Sequence, residues 1–265
     1  MNYSFIQVLL IFIVTFIVAI DQFSFLESLY QPIVTGPVIG LILGDLQTGL
    51  VVGGTYQLIT IGNMPVGGAQ PPNAVIGGIM ATVFAVTLKM DPSAASGFAI
   101  AFALLGQYLI TILFTVMSPM MKVADDAAHN ADPKGIAKVN YIEMAVLGTG
   151  FGLIVVAFFI AGSSFGEALT NAIPKSAMSA LSTAGGMMRY VGFAVLLRVM
   201  MSKDMWGFYF LGFALALIVG GIESLSQSTL LILAFVGFAF AYWDYQISIK
   251  TKQAELSGGD YSDGI

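Results

Sequence analysis

The chain has no cysteine, a single histidine and very few charges. Only 9% of its 265 residues are Asp, Glu, Lys or Arg, against about 25% in an ordinary soluble domain. The lack of cysteine excludes a disulfide framework, a thiolate metal site and a cysteine phosphocarrier. The ten Lys and Arg are scattered and form no basic face, so nucleic acid is not an expected partner. None of them precedes Lys89. The N-terminus therefore lacks the basic region of a cleaved signal, and MNYSFIQVLLIFIVTFIVAI reads as a retained first span. There is no P-loop, no dinucleotide fingerprint and no Ser/His/Asp set. The sequence implies no cofactor, no catalytic residue and no metal. Any driving energy must come from a gradient or from partner chains.

What is present is apolar. Hydrophobic residues make up 57% of the chain, and the mean hydropathy is +0.89. Runs at 4–20, 74–89, 96–121, 140–162, 186–201, 205–221 and 228–247 approach the length of about 20 residues that spans a bilayer core. The expected fold is all-α: a polytopic membrane protein with about seven long transmembrane helices plus short or re-entrant broken helices. Residues 1–250 read as one integral membrane domain. Residues 251–265, rich in Gly, Ser and Asp, read as a disordered tail. Lys and Arg flank the cytoplasmic side of spans. The polar loop KVADDAAHNADPKGIAKVN (122–140), the Arg198/Lys203 pair and the Lys250/Lys252 pair agree on one side, which predicts a cytoplasmic loop and a cytoplasmic C-terminus.

The segment from Thr35 to Asn73, TGPVIGLILGDLQTGLVVGGTYQLITIGNMPVGGAQPPN, cannot be one ordinary transmembrane helix. Backbone broken by glycine and proline survives at membrane depth only where protein buries it or a polar cavity solvates it. Residues 33–44 and 48–61 read as two short or re-entrant helices turning at Gly44-Asp45. Gly36, Gly40 and Gly44 repeat at four-residue spacing, which favours close helix packing. Asp45 is expected to cap the second short helix through Thr48 or Gln47. A second irregular stretch, 162–186, is broken at Pro174.

Isolated polar residues cluster around this segment: Asp21, Gln22 and Glu27 after the first span, Gln57 and Asn63 at the end of the second short helix, and Gln70 and Asn73 before the next run. A buried polar group without partners costs several kcal/mol, so each must face protein, water or ligand. Amides both donate and accept, as sugar hydroxyls do, and carboxylates accept strongly. These seven residues are the candidate substrate contacts, with Gln57 and Asn63 foremost, and aromatic rings lie nearby at Tyr30, Tyr56, Phe23 and Phe25. The alternative role for each is packing or capping. Asp125, Asp126, His129 and Asp132 suggest a metal or phosphohistidine cluster at first glance, but their Ala/Asn/Lys surroundings read as a solvated loop.

LGDLQTGLVVGGTYQL (43–58), followed by IGNMPVGGAQPPN (61–73), resembles the membrane IIC component of bacterial phosphotransferase systems (PTS) of the mannose–fructose–sorbose class. The resemblance extends through AIPKSAMSALSTAGGMMRYVGFAVLL (172–197). It implies a permease subunit in the bacterial cell membrane that pairs with a second membrane subunit, IID, as a trimer of heterodimers. It also implies soluble IIA and IIB phosphocarriers, with phospho-IIB phosphorylating the sugar during import. Mannose-type members carry an acidic residue at position 57, a basic one at 31 and an Asp at 73. Gln57, Gln31 and Asn73 here are more similar to the amino-sugar branch, the galactosamine and N-acetylgalactosamine systems. A gradient-coupled secondary transporter of a small polar solute is the rival reading, with Asp21, Glu27 or Asp45 as coupling-ion ligands.

Overall fold

The fold is taken from a computed structural model that describes residues 4–63, 71–172, 174–225 and 228–257. Among them there are helices and no strands, in the order α1 (Phe5–Ser24), α2 (Pro32–Leu43), α3 (Leu46–Thr60), α4 (Ala74–Thr87), α5 (Pro92–Met117), α6 (Pro119–His129), α7 (Pro133–Ala172), α8 (Lys175–Met200), α9 (Trp206–Gly220) and α10 (Thr229–Ser257). All seven apolar runs fall in helices. Among the described residues, five segments are long and apolar enough to cross a membrane: Phe5–Ser24, Pro92–Met117, Pro133–Gly162, Lys203–Gly220 and Thr229–Lys252. The chain divides into two compact units, 1–199 and 200–265, where the sequence reads as one domain.

The first unit is organised around α4. Thirteen of its fourteen residues, Val75 to Thr87, are buried, enclosed by α2, α3, α5 and α7. A helix that is apolar on every side belongs in a core or in lipid; this one lies in the protein core. Small residues allow its neighbours to come close: the Tyr56 ring lies over Gly77, and Pro32 sits on Gly78. Helix α1 turns Ile11, Thr15, Val18 and Ala19 inward, at the i, i+4, i+7, i+8 spacing of one helical face. Phe12 and Phe16 lie against Gly152 and Gly148 of α7.

Helices α2 and α3 form the expected hairpin. Their 12 and 15 residues give lengths of roughly 18 and 22 Å, short of the ~30 Å hydrocarbon core. Gly44, at φ 87°, ends α2 in the left-handed conformation that glycine adopts without penalty. Asp45 then caps α3: its carboxylate accepts from the Thr48 N–H (3.0 Å) and hydroxyl (2.8 Å). The seam is backbone against backbone. A Cβ on Gly36 would lie 2.6 Å from the Cα of Gly53, and one on Gly40 would lie 2.8 Å from the Cα of Gly49.

Two expectations are revised. Residues 122–140 are not an extended loop. They form the end of α6, a short turn at 130–132 and the start of α7. Ala and Lys are good helix formers, and Pro119 and Pro133 stand at the first helical positions, where proline is preorganised. Polarity alone had suggested irregular chain. His129 is the last residue of α6 and is exposed. The last helix runs to Ser257, into the stretch that composition reads as tail; 258–265 lie outside the described residues. The break at Pro174 falls between α7 and α8. In the second unit α9 and α10 pack on each other, and neither apolar window is buried.

Candidate functional site

A cavity of about 550 Å³ opens where the end of α1, the α1–α2 link, the end of α3 and the start of α4 meet the middle of α5. Two helix N-termini converge there. Gln31 is the N-cap residue of α2, and Asn73 is the N-cap residue of α4. First-turn N–H groups have no partner within their own helix, so the polar side chains around them have defined work to do.

The α1–α2 link wraps around Asp21. This carboxylate is 1% exposed and accepts from the backbone N–H groups of Leu26 (3.0 Å), Leu29 (2.6 Å) and Tyr30 (3.0 Å). Within the link Glu27 has φ 52°, a conformation that non-glycine residues rarely adopt. The clamp brings Glu27, Tyr30 and Gln31 to the cavity wall, while Asp21 itself is spent on the link and does not line the cavity.

Gln57 projects from α3 across the seam. Its Oε1 accepts the first-turn N–H of Ile33 (3.2 Å), and its Nε2 donates to Gln31 Oε1 (2.9 Å). Gln31 also hydrogen-bonds the Tyr30 side chain. On the α4 side, Asn73 is 3% exposed. Its Oδ1 accepts the Ile76 N–H (3.0 Å), and its Nδ2 donates to Gln22 Oε1 (3.4 Å). Phe23 and Phe114, in an edge-on contact at 5.5 Å between ring centres, supply an apolar wall.

Of the seven candidate residues, Gln22, Glu27, Gln57, Asn63 and Asn73 line this one cavity. Asp21 stands behind the wall, and Gln70 lies outside the described residues. Sequence reasoning left Gln31, Thr60 and Gln107 off the candidate set, although all three line the cavity. The signal for Gln107 was available: it is a lone amide inside the apolar run 96–121. A smaller void of about 50 Å³ adjoins through Thr60, Asn63 and Pro72 and is closed by Met188, Val191, Gly192 and Val195 of α8. The described lining of the main cavity holds one carboxylate, Glu27, and otherwise amides, a threonine, Tyr30, phenylalanines and apolar residues. Such a set is chemically suited to a neutral, hydroxyl-rich molecule, through hydrogen bonds and ring contact.

A helical membrane core with a polar, amide-lined cavity beside broken helices is the build of a solute permease. Residues 5–243 match the family described as the PTS system sorbose-specific IIC component. The chain belongs to this family and is a sugar-transport subunit of a bacterial phosphotransferase system, a multi-pass membrane protein of the mannose–sorbose class. It is 32% identical over 257 residues to N-acetylgalactosamine permease IIC component 1 of Escherichia coli (strain K12), covering 94% of each chain. A solved structure described only as a membrane protein superposes with a TM-score of 0.81 at 27% identity, covering 95% of this chain and 99% of the other. The cryo-EM structure of the mannose transporter ManYZ with microcin E492 has a chain that superposes at 0.58 with 26% identity, covering 92% and 97%.

Proposed function

We propose that the 550 Å³ cavity is the sugar site of this subunit and that the sugar is an amino sugar of the N-acetylgalactosamine type. In this reading the chain forms the translocation path with a IID membrane subunit. Phospho-IIB, charged by IIA, phosphorylates the sugar as it enters the cell. The α6–α7 turn and the C-terminus face the cytoplasm.

The observation that carries the reading is the convergence of Gln22, Glu27, Gln31, Gln57, Asn63 and Asn73 on one cavity with an aromatic wall. These residues come from separate stretches of chain, and capping of first-turn N–H groups accounts for only two of them, Gln57 and Asn73. Similarity to the N-acetylgalactosamine permease component supports the sugar class. The single charged group in the described lining suits a neutral ligand better than an ionic one. Similarity to a chain of the mannose transporter complex supports a second membrane subunit.

The test is uptake of labelled N-acetylgalactosamine by cells expressing this chain with its IIA, IIB and IID partners. Label should accumulate as the sugar phosphate, should require phosphoenolpyruvate and should persist with a protonophore present. Uptake of unmodified sugar that collapses with the protonophore would replace this reading with gradient-coupled transport.

A further inference from the structure

Amide side chains at a cavity wall can present either the carbonyl oxygen or the NH₂ group, and which one faces the ligand decides what the cavity recognises. Here two backbone N–H groups settle the question. The Ile33 N–H, in the first turn of α2, meets the Gln57 side chain at 3.2 Å. A backbone N–H can be met only by an acceptor, so the oxygen of Gln57 is fixed toward α2 and its NH₂ group is turned away. That NH₂ meets the Gln31 oxygen at 2.9 Å, which turns the Gln31 NH₂ away from Gln57; one of its two hydrogens goes to the Tyr30 hydroxyl, and the other is left for the cavity. The second chain repeats the pattern. The Ile76 N–H, in the first turn of α4, fixes the Asn73 oxygen at 3.0 Å. The Asn73 NH₂ then meets the Gln22 oxygen at 3.4 Å, which turns the Gln22 NH₂ outward. Both relays run from an orphan helix-terminal donor to the wall of the same cavity.

We infer that this cavity reads its ligand with donors: Gln31 and Gln22 offer NH₂ groups to acceptor oxygens of the sugar, while Gln57 and Asn73 are positioning residues that set the sense of those two amides. This deepens the proposed function and rests on the cavity being the sugar site. The groups recognised on this wall are hydroxyl lone pairs or an acetamido carbonyl. A cationic ammonium placed there meets only donors, and Glu27 is the one carboxylate in the described lining. The relays also separate two roles that composition makes look alike. Of the six amides in the described lining, Gln57 and Asn73 answer to the backbone and Gln31 and Gln22 to the ligand.

The experiment reverses the sense of an amide without emptying the space. Gln57→Glu keeps an oxygen for the Ile33 N–H but removes the donor to Gln31, so Gln31 turns its NH₂ toward the new carboxylate and its oxygen toward the ligand. Asn73→Asp does the same to Gln22 while retaining the cap on Ile76. Equilibrium binding of tritiated N-acetylgalactosamine is measured on membrane vesicles containing the full chain and its partner subunits. Each single variant is expected to weaken binding about tenfold or more, because an acceptor then faces an acceptor. The double variant Gln57→Glu/Gln31→Lys restores a side chain that only donates, and is expected to return affinity to within about threefold. Failure of that recovery overturns the proposal. So does unchanged binding by Gln57→Glu and Asn73→Asp while Gln31→Ala and Gln22→Ala still weaken it; the cavity would then hold the sugar without reading it through fixed donors. If all four single variants bind as the parent does, the cavity is not the sugar site and the proposed function falls with the inference. Should Gln57→Glu fail to assemble, Asn73→Asp decides alone.

Discussion

Asp21 offers a sharp test because each of its oxygens has a separate duty. Oδ1 serves the Leu26 N–H, and Oδ2 serves both Leu29 and Tyr30. In Asp21→Asn the remaining oxygen is expected to take the Oδ2 place, where it keeps two partners, leaving the NH₂ group facing the Leu26 N–H donor to donor. One charge-assisted bond is lost, about 1.5–3 kcal/mol, and the other two weaken to neutral strength. Asp21→Ala removes all three, with an upper bound of roughly 4–9 kcal/mol if the terms simply add. Hydrogen exchange of the full chain in lipid nanodiscs, read at single amides, checks this directly. In Asp21→Asn the Leu26 amide should exchange about 10–100-fold faster and the Leu29 and Tyr30 amides much less so. In Asp21→Ala all three should accelerate together. Sugar affinity should fall in step, since the link carries Glu27, Tyr30 and Gln31. Unchanged exchange in Asp21→Ala would refute the clamp. Weakened sugar binding with exchange unaltered would make Asp21 a direct contact instead.

Three further outcomes follow from the fold. Gly40→Val drives a branched side chain into the backbone of α3 at Gly49; it should cost at least the ~1–3 kcal/mol of an overpacked core, read as loss of folded protein in detergent melts, and normal yield and melting would contradict the seam. His129→Ala, on an exposed helix end, should leave phosphorylating uptake within about twofold, and a drop beyond about tenfold, roughly 1.4 kcal/mol, would give that histidine a role. Cysteines placed at Asn130 and Lys252 should resist an impermeant maleimide in intact cells and react in inverted vesicles; the opposite pattern at either position would reverse the orientation proposed for it.

Much of this architecture was legible before any coordinates. Gly44-Asp45 marked the hairpin turn because a left-handed glycine followed by a capping carboxylate is a local signal, carried by two adjacent residues. The polar set around 57–73 was legible because amides and carboxylates are costly in lipid wherever they fall. The division of labour within that set was not. Nothing in the sequence separates Asp21, which answers to three backbone N–H groups, from Glu27 at the cavity wall; that distinction depends on how the seven residues of link, Phe25 to Gln31, fold back. The central place of α4 was equally hidden, since an all-apolar helix suits lipid and protein interior alike. The α6–α7 hairpin was misjudged because solvent-facing helices and loops share their polarity.

The burial of α4 also bears on how the protein is made. Its neighbours α5 and α7 follow it in the chain, and α7 ends 85 residues after α4 does, at Ala172 against Thr87. At synthesis rates of about 5–20 residues per second, α4 waits roughly 4–17 s before the last of its walls exists. For that interval the sides that α5 and α7 later cover face lipid and the insertion machinery, not protein. A mature interior could have tolerated paired polar groups on this helix; the waiting period could not, because no partner is yet present to satisfy them. AVIGGIMATVFAVT, whose only side-chain hydroxyls, Thr82 and Thr87, bond carbonyls of their own helix, is therefore suited to two solvents in succession, first the bilayer that receives it and then the protein that closes over it.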